Sequence, residues 1–233
     1  MDKSITEKTE IRSARRVRSG GRSANTARRK KELFKQSHWR LPVNHDPPIE
    51  PLLEEGVLTI HNGAMDILED IGIEFLNEEA REIFAEAGCR INDTNVKMDR
   101  EWVMEMIGKA PSQFTITPRN PDHELIVGGK YILFGNVSSP PNYYDLDIGK
   151  KVPGTREQCA NLIRLSQYFN CIHMIGGYPV EPVDLHPSIR HLDVLFDKLT
   201  LSDKVAHAYS LGKERVEDVM EMVKIAGGLS EEE

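Results

Sequence analysis

"CIHMIGGYPVEPVDLHP", residues 171–187, decides the fold. An apolar run stops at two glycines. Three prolines and two carboxylates follow, and Pro187 stands where the first turn of a helix accepts proline. The stretch reads as a short strand over 171–175, a special turn, and the start of a helix. Its surroundings alternate in the same way. "TREQ" (155–158) is a capping box, with Thr155 taking the amide three residues on. The helix it opens turns Cys159, Leu162, Ile163, Ser166 and Phe169 inward. Ile189, Leu192, Leu195, Phe196 and Leu199 make the core stripe of the next helix, with "KVAHAYS" (204–210) a second strand. A last helix over 213–226 buries Val216, Val219, Met220 and Val223. Alternating β and α units predict parallel strands joined by right-handed crossovers. The candidates are a doubly wound sheet and a (β/α)8 barrel. Neither G-x-G-x-x-G nor G-x-x-x-x-G-K-[ST] occurs, which weighs against a nucleotide-binding sheet.

A different region precedes these units. Leu53, Val57, Ile60, Ala64, Ile67, Leu68 and Ile71 have the spacing of one helix face, which Gly72 ends. A second helix over 78–87 points Ala80, Ile83, Phe84 and Ala87 inward and stops at Gly88. Asp99 caps a third, with Met98 as a staple before it and Trp102, Val103, Met106 and Ile107 on its apolar side. Residues 114–117, 124–127 and 130–135 read as strands. Gly128-Gly129 is the expected two-residue hairpin turn between the last two. "NVSSPPNYYDLDIGKKVPG" (136–154) reads as one long loop, of the kind that tends to be functional.

Composition narrows the class. The 233 residues are 39% hydrophobic, enough for a core. No apolar run approaches the roughly 20 residues of a membrane span. The start lacks an apolar signal core. Cys89, Cys159 and Cys171 are isolated, which fits a reducing compartment and predicts a cytoplasmic protein without a metal site. The net charge of -7 hides an asymmetry. Residues 1–40 hold 13 Lys+Arg and 4 Asp+Glu, leaving 17 and 33 in the remainder. The basic segment has too little apolar surface to offset its ordering entropy, so residues 1–47 are expected to be a disordered tail and a proline-rich joint. Its plain role is solvation. Nucleic-acid binding is the weaker alternative.

In both α/β architectures ligands bind at the carboxyl ends of the strands. Gly176 and Gly177 begin the turn at one such end, with Tyr178, Glu181 and Asp184 after them. Tyr209 stands at the end of the next strand, and Asn136, in "FGNVSS", at that of the preceding one. Asp184 is expected to cap the following helix. His173 and His207 are expected to be satisfied core residues, and His191 a packing residue on a helix.

The ordered series "ILEDIGIEF" (67–75), "FAEAGCRIND" (84–93), "APSQFTITPRNP" (110–121), "VEPVDLHPSIRHLDVLFDKLTLSDKVAHAYS" (180–210) and "ERVEDVMEMVKI" (214–225) resembles the N-terminal half of the trimethylamine:corrinoid methyltransferase family, which includes glycine betaine methyltransferases. The resemblance implies a partial TIM (β/α)8 barrel behind a helical and β-hairpin region, with boundaries at 48–130 and 131–233. It implies methyl transfer from a methylated amine, such as trimethylamine or glycine betaine, to the cobalt of a corrinoid. That corrinoid is carried by a partner protein, so no cofactor is bound directly. Full-length members are expected to be homo-oligomers.

Such chemistry asks the protein to strip water from a cation and hold it in line with the acceptor. Aromatic faces and carboxylates do this well. Gly176, Gly177, Tyr178, Glu181, Tyr209, Asn136, Tyr143 and Tyr144 are therefore the candidate substrate-binding residues, and no catalytic residue is assigned. Packing for the tyrosines and a loop ion pair for Glu181 are the alternatives. The rival reading is a non-catalytic fragment or binding protein. On that reading the few βα units leave an open strand edge, and a second polypeptide is needed to complete the barrel.

Overall fold

A computed structural model describes residues 35–209 and 211–230. The chain divides into two units, Met1–Ser37 and His38–Glu233, and all the described helices and strands belong to the second. The expectation for the basic tail falls almost wholly outside the described residues.

The first part of this unit is helical, as expected, and carries a small sheet that the sequence reading missed. Helix α1 (Glu54–Asp66) runs on through a π-helical turn over Ile67–Ile71, which Gly72 ends at φ +84°. Strand β1 (Ile73–Glu74), helix α2 (Glu78–Glu86), strands β2 (Arg90–Asn92) and β3 (Asn95–Lys97) and helix α3 (Arg100–Gly108) come next. The strands form an antiparallel sheet in the order β1-β3-β2, with Val96 opposite both Ile73 and Ile91. Two of the caps are local and polar. Asn77 accepts from the amide of Ala80, and Asp99 from those of Glu101 and Trp102. Met65, Val96, Met98 and Val103 form the core here, with Phe75, Phe84 and Trp102 packed against it.

On all three helices some expected burials fail. Val57, Ile60, Ile67 and Ile71 of the α1 stripe are exposed, and so are Ile83 and Ala87 of α2 and Ile107 of α3. The sheet takes only one side of each helix, so the second apolar side has no partner among the described residues.

The hairpin is also paired differently. Strand β5 (Leu125–Gly128) pairs antiparallel with β4 (Gln113–Ile116) rather than with 130–135. A 3-10 turn over Pro121–His123 lies between them. Gly128 and Gly129 do take positive φ, +102° and +59°. The chain beyond them turns instead onto the Pro42–Asn44 backbone, where the Ile132 amide donates to Pro42 at 2.9 Å. The expected long loop holds a hairpin of its own, β6 (Asn142–Asp145) with β7 (Lys150–Pro153).

Helix α4 (Arg156–Tyr168), strand β8 (Met174–Ile175), helix α5 (Arg190–Leu201), strand β9 (Val205–Ala206) and helix α6 (Lys213–Gly227) complete the chain order. β8 and β9 are parallel, as expected, with Met174 opposite Val205 and Ile175 opposite Ala206. Both are shorter than read. Gly135 makes a parallel bridge to Met174, so three segments run side by side in chain order. Cys159, Ile163, Ile175, Tyr178, Val180 and Val194 form the core between sheet and helices. Burying an aliphatic side chain fully is worth about 1.5–3 kcal/mol.

The predicted inward face of α4 is correct. That of α5 is rotated: Val194, Leu195, Asp197 and Lys198 are buried, while Phe196 is 54% exposed. The rotation follows charge. Arg156 of α4 holds Asp193 at 2.6 Å and Asp197 at 3.0 Å, so α5 turns this acidic side toward α4. α6 buries none of its expected residues, and Val216, Met220 and Val223 are exposed. His173 is a satisfied core histidine, as expected. Its Nδ1 accepts from the Phe134 amide at 2.9 Å, and Nε2–H donates to the Arg40 carbonyl at 3.0 Å. His207 is exposed instead, because β9 ends at Ala206.

Candidate functional site

The carboxyl ends of the three parallel segments bring five of the sequence candidates together. Asn136 follows Gly135, Gly176 follows β8, and Tyr209 lies just beyond β9. Gly176 donates its amide to Asn136 Oδ1 at 2.9 Å, and a Cβ there would stand 2.9 Å from the Asn136 carbonyl oxygen. Gly177 is more constrained. A Cβ would overlap the Tyr209 hydroxyl and Ser138 Oγ. Neither glycine is required by positive φ. Both serve close approach, which lets the Tyr209 hydroxyl reach under the turn.

That hydroxyl is held on three sides. It contacts Ser138 Oγ at 2.6 Å, contacts Ser139 Oγ, and accepts from the Tyr178 amide at 3.3 Å. The Tyr178 and Tyr209 rings meet edge to face, with centroids 4.9 Å apart. Burial pushes the Tyr178 phenol above its ordinary range. Beneath it lies Lys198, a residue the sequence reading missed. Its Nζ donates to the His207 carbonyl at 2.7 Å and stands 5.8 Å from the Tyr178 ring centroid. Lys198 is 2% exposed, and burial pulls its pKa down to about 8. Lysine is seldom so buried, and nothing in its spacing on the helix marks it.

Glu181 faces a cavity of about 300 Å3 together with Ser139, Tyr178, Arg190, Tyr209 and Arg215. It is ion-paired with Arg190, whose other arm donates to the Leu185 carbonyl at 2.8 Å. The loop ion pair is present, and the carboxylate also lines the cavity. His191, read as a packing residue, is paired across helices with Asp218: Nε2 to Oδ2 is 2.8 Å.

Two candidates fall elsewhere. Tyr144 is exposed on the β6–β7 hairpin and donates to the Gly149 carbonyl at 2.8 Å. Tyr143, on the same strand, donates to Asp145 and packs against the core cluster that includes Tyr178. Neither lines the cavity, because the segment read as a loop pairs with itself. Asp184 is a correction too. It accepts from the Arg156 amide at 3.0 Å, and so caps α4 rather than the helix that follows it.

Among the described residues no group of three or more His, Cys, Asp or Glu could hold a metal ion, and no helix is long and apolar enough to cross a membrane. Cys159 is fully buried, and its thiol is pushed up to about 11, which leaves it unreactive.

Residues 18–233 match the family model described as trimethylamine methyltransferase. The chain is similar to a glycine betaine methyltransferase of Desulfitobacterium hafniense (strain Y51), at 36% identity over 78% of this chain and 38% of that protein. It is similar to a trimethylamine methyltransferase of Desulfitobacterium hafniense (strain DSM 10664 / DCB-2), at 30% identity over 62% and 30%. It is similar to a proline betaine:corrinoid methyltransferase of Eubacterium limosum, at 34% identity over 25% and 12%. The chain thus spans less than two fifths of the length of these curated relatives.

Proposed function

The chain belongs to the trimethylamine methyltransferase family, and from that premise we propose that it forms a donor-binding wall of a methyltransferase acting between a methylated amine and a corrinoid carried by a partner protein. The observation that carries the reading is the locked Tyr178–Tyr209 pair beside a cavity at the carboxyl ends of parallel strands. The methyl–nitrogen bond breaks with its electron pair leaving on the amine, and the methyl group passes to the corrinoid acceptor. No protein nucleophile is needed. The residues here bind, orient and exclude water. The ring of Tyr209 and the Glu181 carboxylate supply the negative surface a methylated nitrogen seeks. The fixed hydroxyl of Tyr209 keeps that ring from turning as the donor enters.

The same reading makes the segment at Gly135, β8 and β9 the opening strands of a (β/α)8 barrel. Their chain-order adjacency and the helices between them support it.

A chimera tests the function. Residues 48–233 replace the matched segment of the glycine betaine methyltransferase relative. Methylation of a reduced corrinoid protein is then followed by visible absorbance with a panel of methylated amines. Methylation from at least one donor is expected, with a loss of tenfold or more in Tyr209→Ala. A folded chimera that methylates from none of the donors overturns the proposal.

A further inference from the structure

We propose that Lys198 gates the cavity by charge: its ammonium opposes a cation seated against the Tyr178–Tyr209 pair, so that cation entry drives a proton off Lys198 and affinity climbs with pH; this rests on reading the cavity as the donor site. The two tyrosines are shared by two spaces. One is the cavity, which also presents Glu181, Arg190 and Arg215. The other is a void of about 10 Å3, lined by Lys198, His191 and His207 as well as by the tyrosines. Lys198 lines the void and not the cavity, so the aromatic pair separates its ammonium from whatever the cavity holds.

The ammonium already draws on that pair. Its Nζ stands 5.8 Å from the Tyr178 ring centroid, within cation–π range. No carboxylate offsets it. Asp197, next on the helix, is turned to Arg156, and Asp218 of α6 is held by His191. From α4 it meets Cys159, whose thiol is pushed up to about 11, and Lys204 and Arg119 share a further groove with it. A second cation on the same aromatic pair therefore meets an unshielded repulsion. Burial has pulled the Lys198 pKa down to about 8, so losing the proton is the easy way to relieve it. The neutral amine still donates to the His207 carbonyl at 2.7 Å, so no contact is given up. The void is about the size of one water, a route for the proton to solvent. Two charges about 10 Å apart at an effective dielectric of about 20 repel by roughly tenfold in affinity.

The test is calorimetric titration of the 233-residue chain with tetramethylammonium, a cation with nothing else to recognise. Repeating it in buffers of different ionisation enthalpy counts the protons released. About half a proton per bound cation is expected near about pH 7.5, with roughly tenfold tighter binding at about pH 9.5 than at about pH 6.5. Lys198→Met should release none and bind at both pH values as tightly as the unmodified chain does at the higher one. Lys198→Arg, which keeps its charge, should bind weakly at both. Binding without proton release and with one affinity across the range overturns the gate while the donor site stands. Release that persists in Lys198→Met also overturns it, by moving the proton to His191 or His207. Binding at neither pH overturns the donor-site reading itself, and this inference with it.

Discussion

Gly177 sits where any side chain would displace Tyr209. Gly177→Ala forces the tyrosine hydroxyl away from Ser138 and from the Tyr178 amide. A loss of about 1–3 kcal/mol in urea unfolding is expected, the usual cost of overpacking a tight contact. Lys198 makes a sharper prediction. Its folded pKa, about 8, lies below the ordinary 10.5, so between those pH values the unfolded chain binds more protons than the folded one. Stability therefore rises as pH climbs from about 8 to 10.5, by up to about 3 kcal/mol from this group. Lys198→Met should lose that rise, read as the difference between the two proteins' urea midpoints across the window. A flat difference rejects the buried-lysine account. At this scale the sequence told half the story. Paired glycines before a tyrosine are a local signal that something approaches closely. The partner of Glu181 lies nine residues on, at Arg190, and the burial of Lys198 depends on which way α5 rolls. Neither is written in a local pattern.

Elements were legible where their determinants are neighbours in the chain. Asp99 and Thr155 cap the helices they precede, and the inward face of α4 follows its spacing. Asp184 misled because its amide partner, Arg156, is 28 residues back. Strand pairing misled for the same reason: Gly128-Gly129 specifies a reversal, but the competing Pro42–Asn44 backbone takes the chain that leaves it. The end of α4 shows a cap of a third kind. Lys204 Nζ donates to the carbonyls of Ser166, Phe169 and Ile172 at 2.7–2.8 Å and is almost wholly buried. Ser166 lies in the last turn of α4, where carbonyls run out of helical donors, so a cation among these three oxygens supports the helix end and ties β9 to it. Lys204→Met keeps the volume and removes the donors. A loss of about 3 kcal/mol in chemical unfolding is expected, against about 1 kcal/mol for the α4 cap mutant Asp184→Ala. Similar losses for the two variants would show that the three-carbonyl contact is not special.

At the scale of the whole unit the apolar pattern and the observed burial part company. Leu53, Val57, Ile60, Ala64, Ile67 and Ile71 step by four and three residues in strict alternation, the spacing of a seam that packs against another helix. All six are exposed, Ile60 at 64% and Ile67 at 51%. The periodicity identified the helix correctly because it depends on the backbone alone. It could not say what the face meets, since that depends on surfaces beyond the helix. Exposed apolar stripes of this length drive association in water. The substitutions that test this should leave the fold intact, because residues that stay in contact with solvent contribute little to stability. Ile60→Glu combined with Ile67→Glu is expected to hold the unfolding midpoint within about 0.5 kcal/mol of the unmodified chain. The same change should lower light scattering at high protein concentration, by adding charge to the stripe and removing its apolar area. A marked loss of stability would mean that α1 packs its stripe inward in solution. Unchanged scattering would mean that the association surface lies elsewhere, with the exposed residues of α6, Val216, Met220 and Val223, next to be substituted.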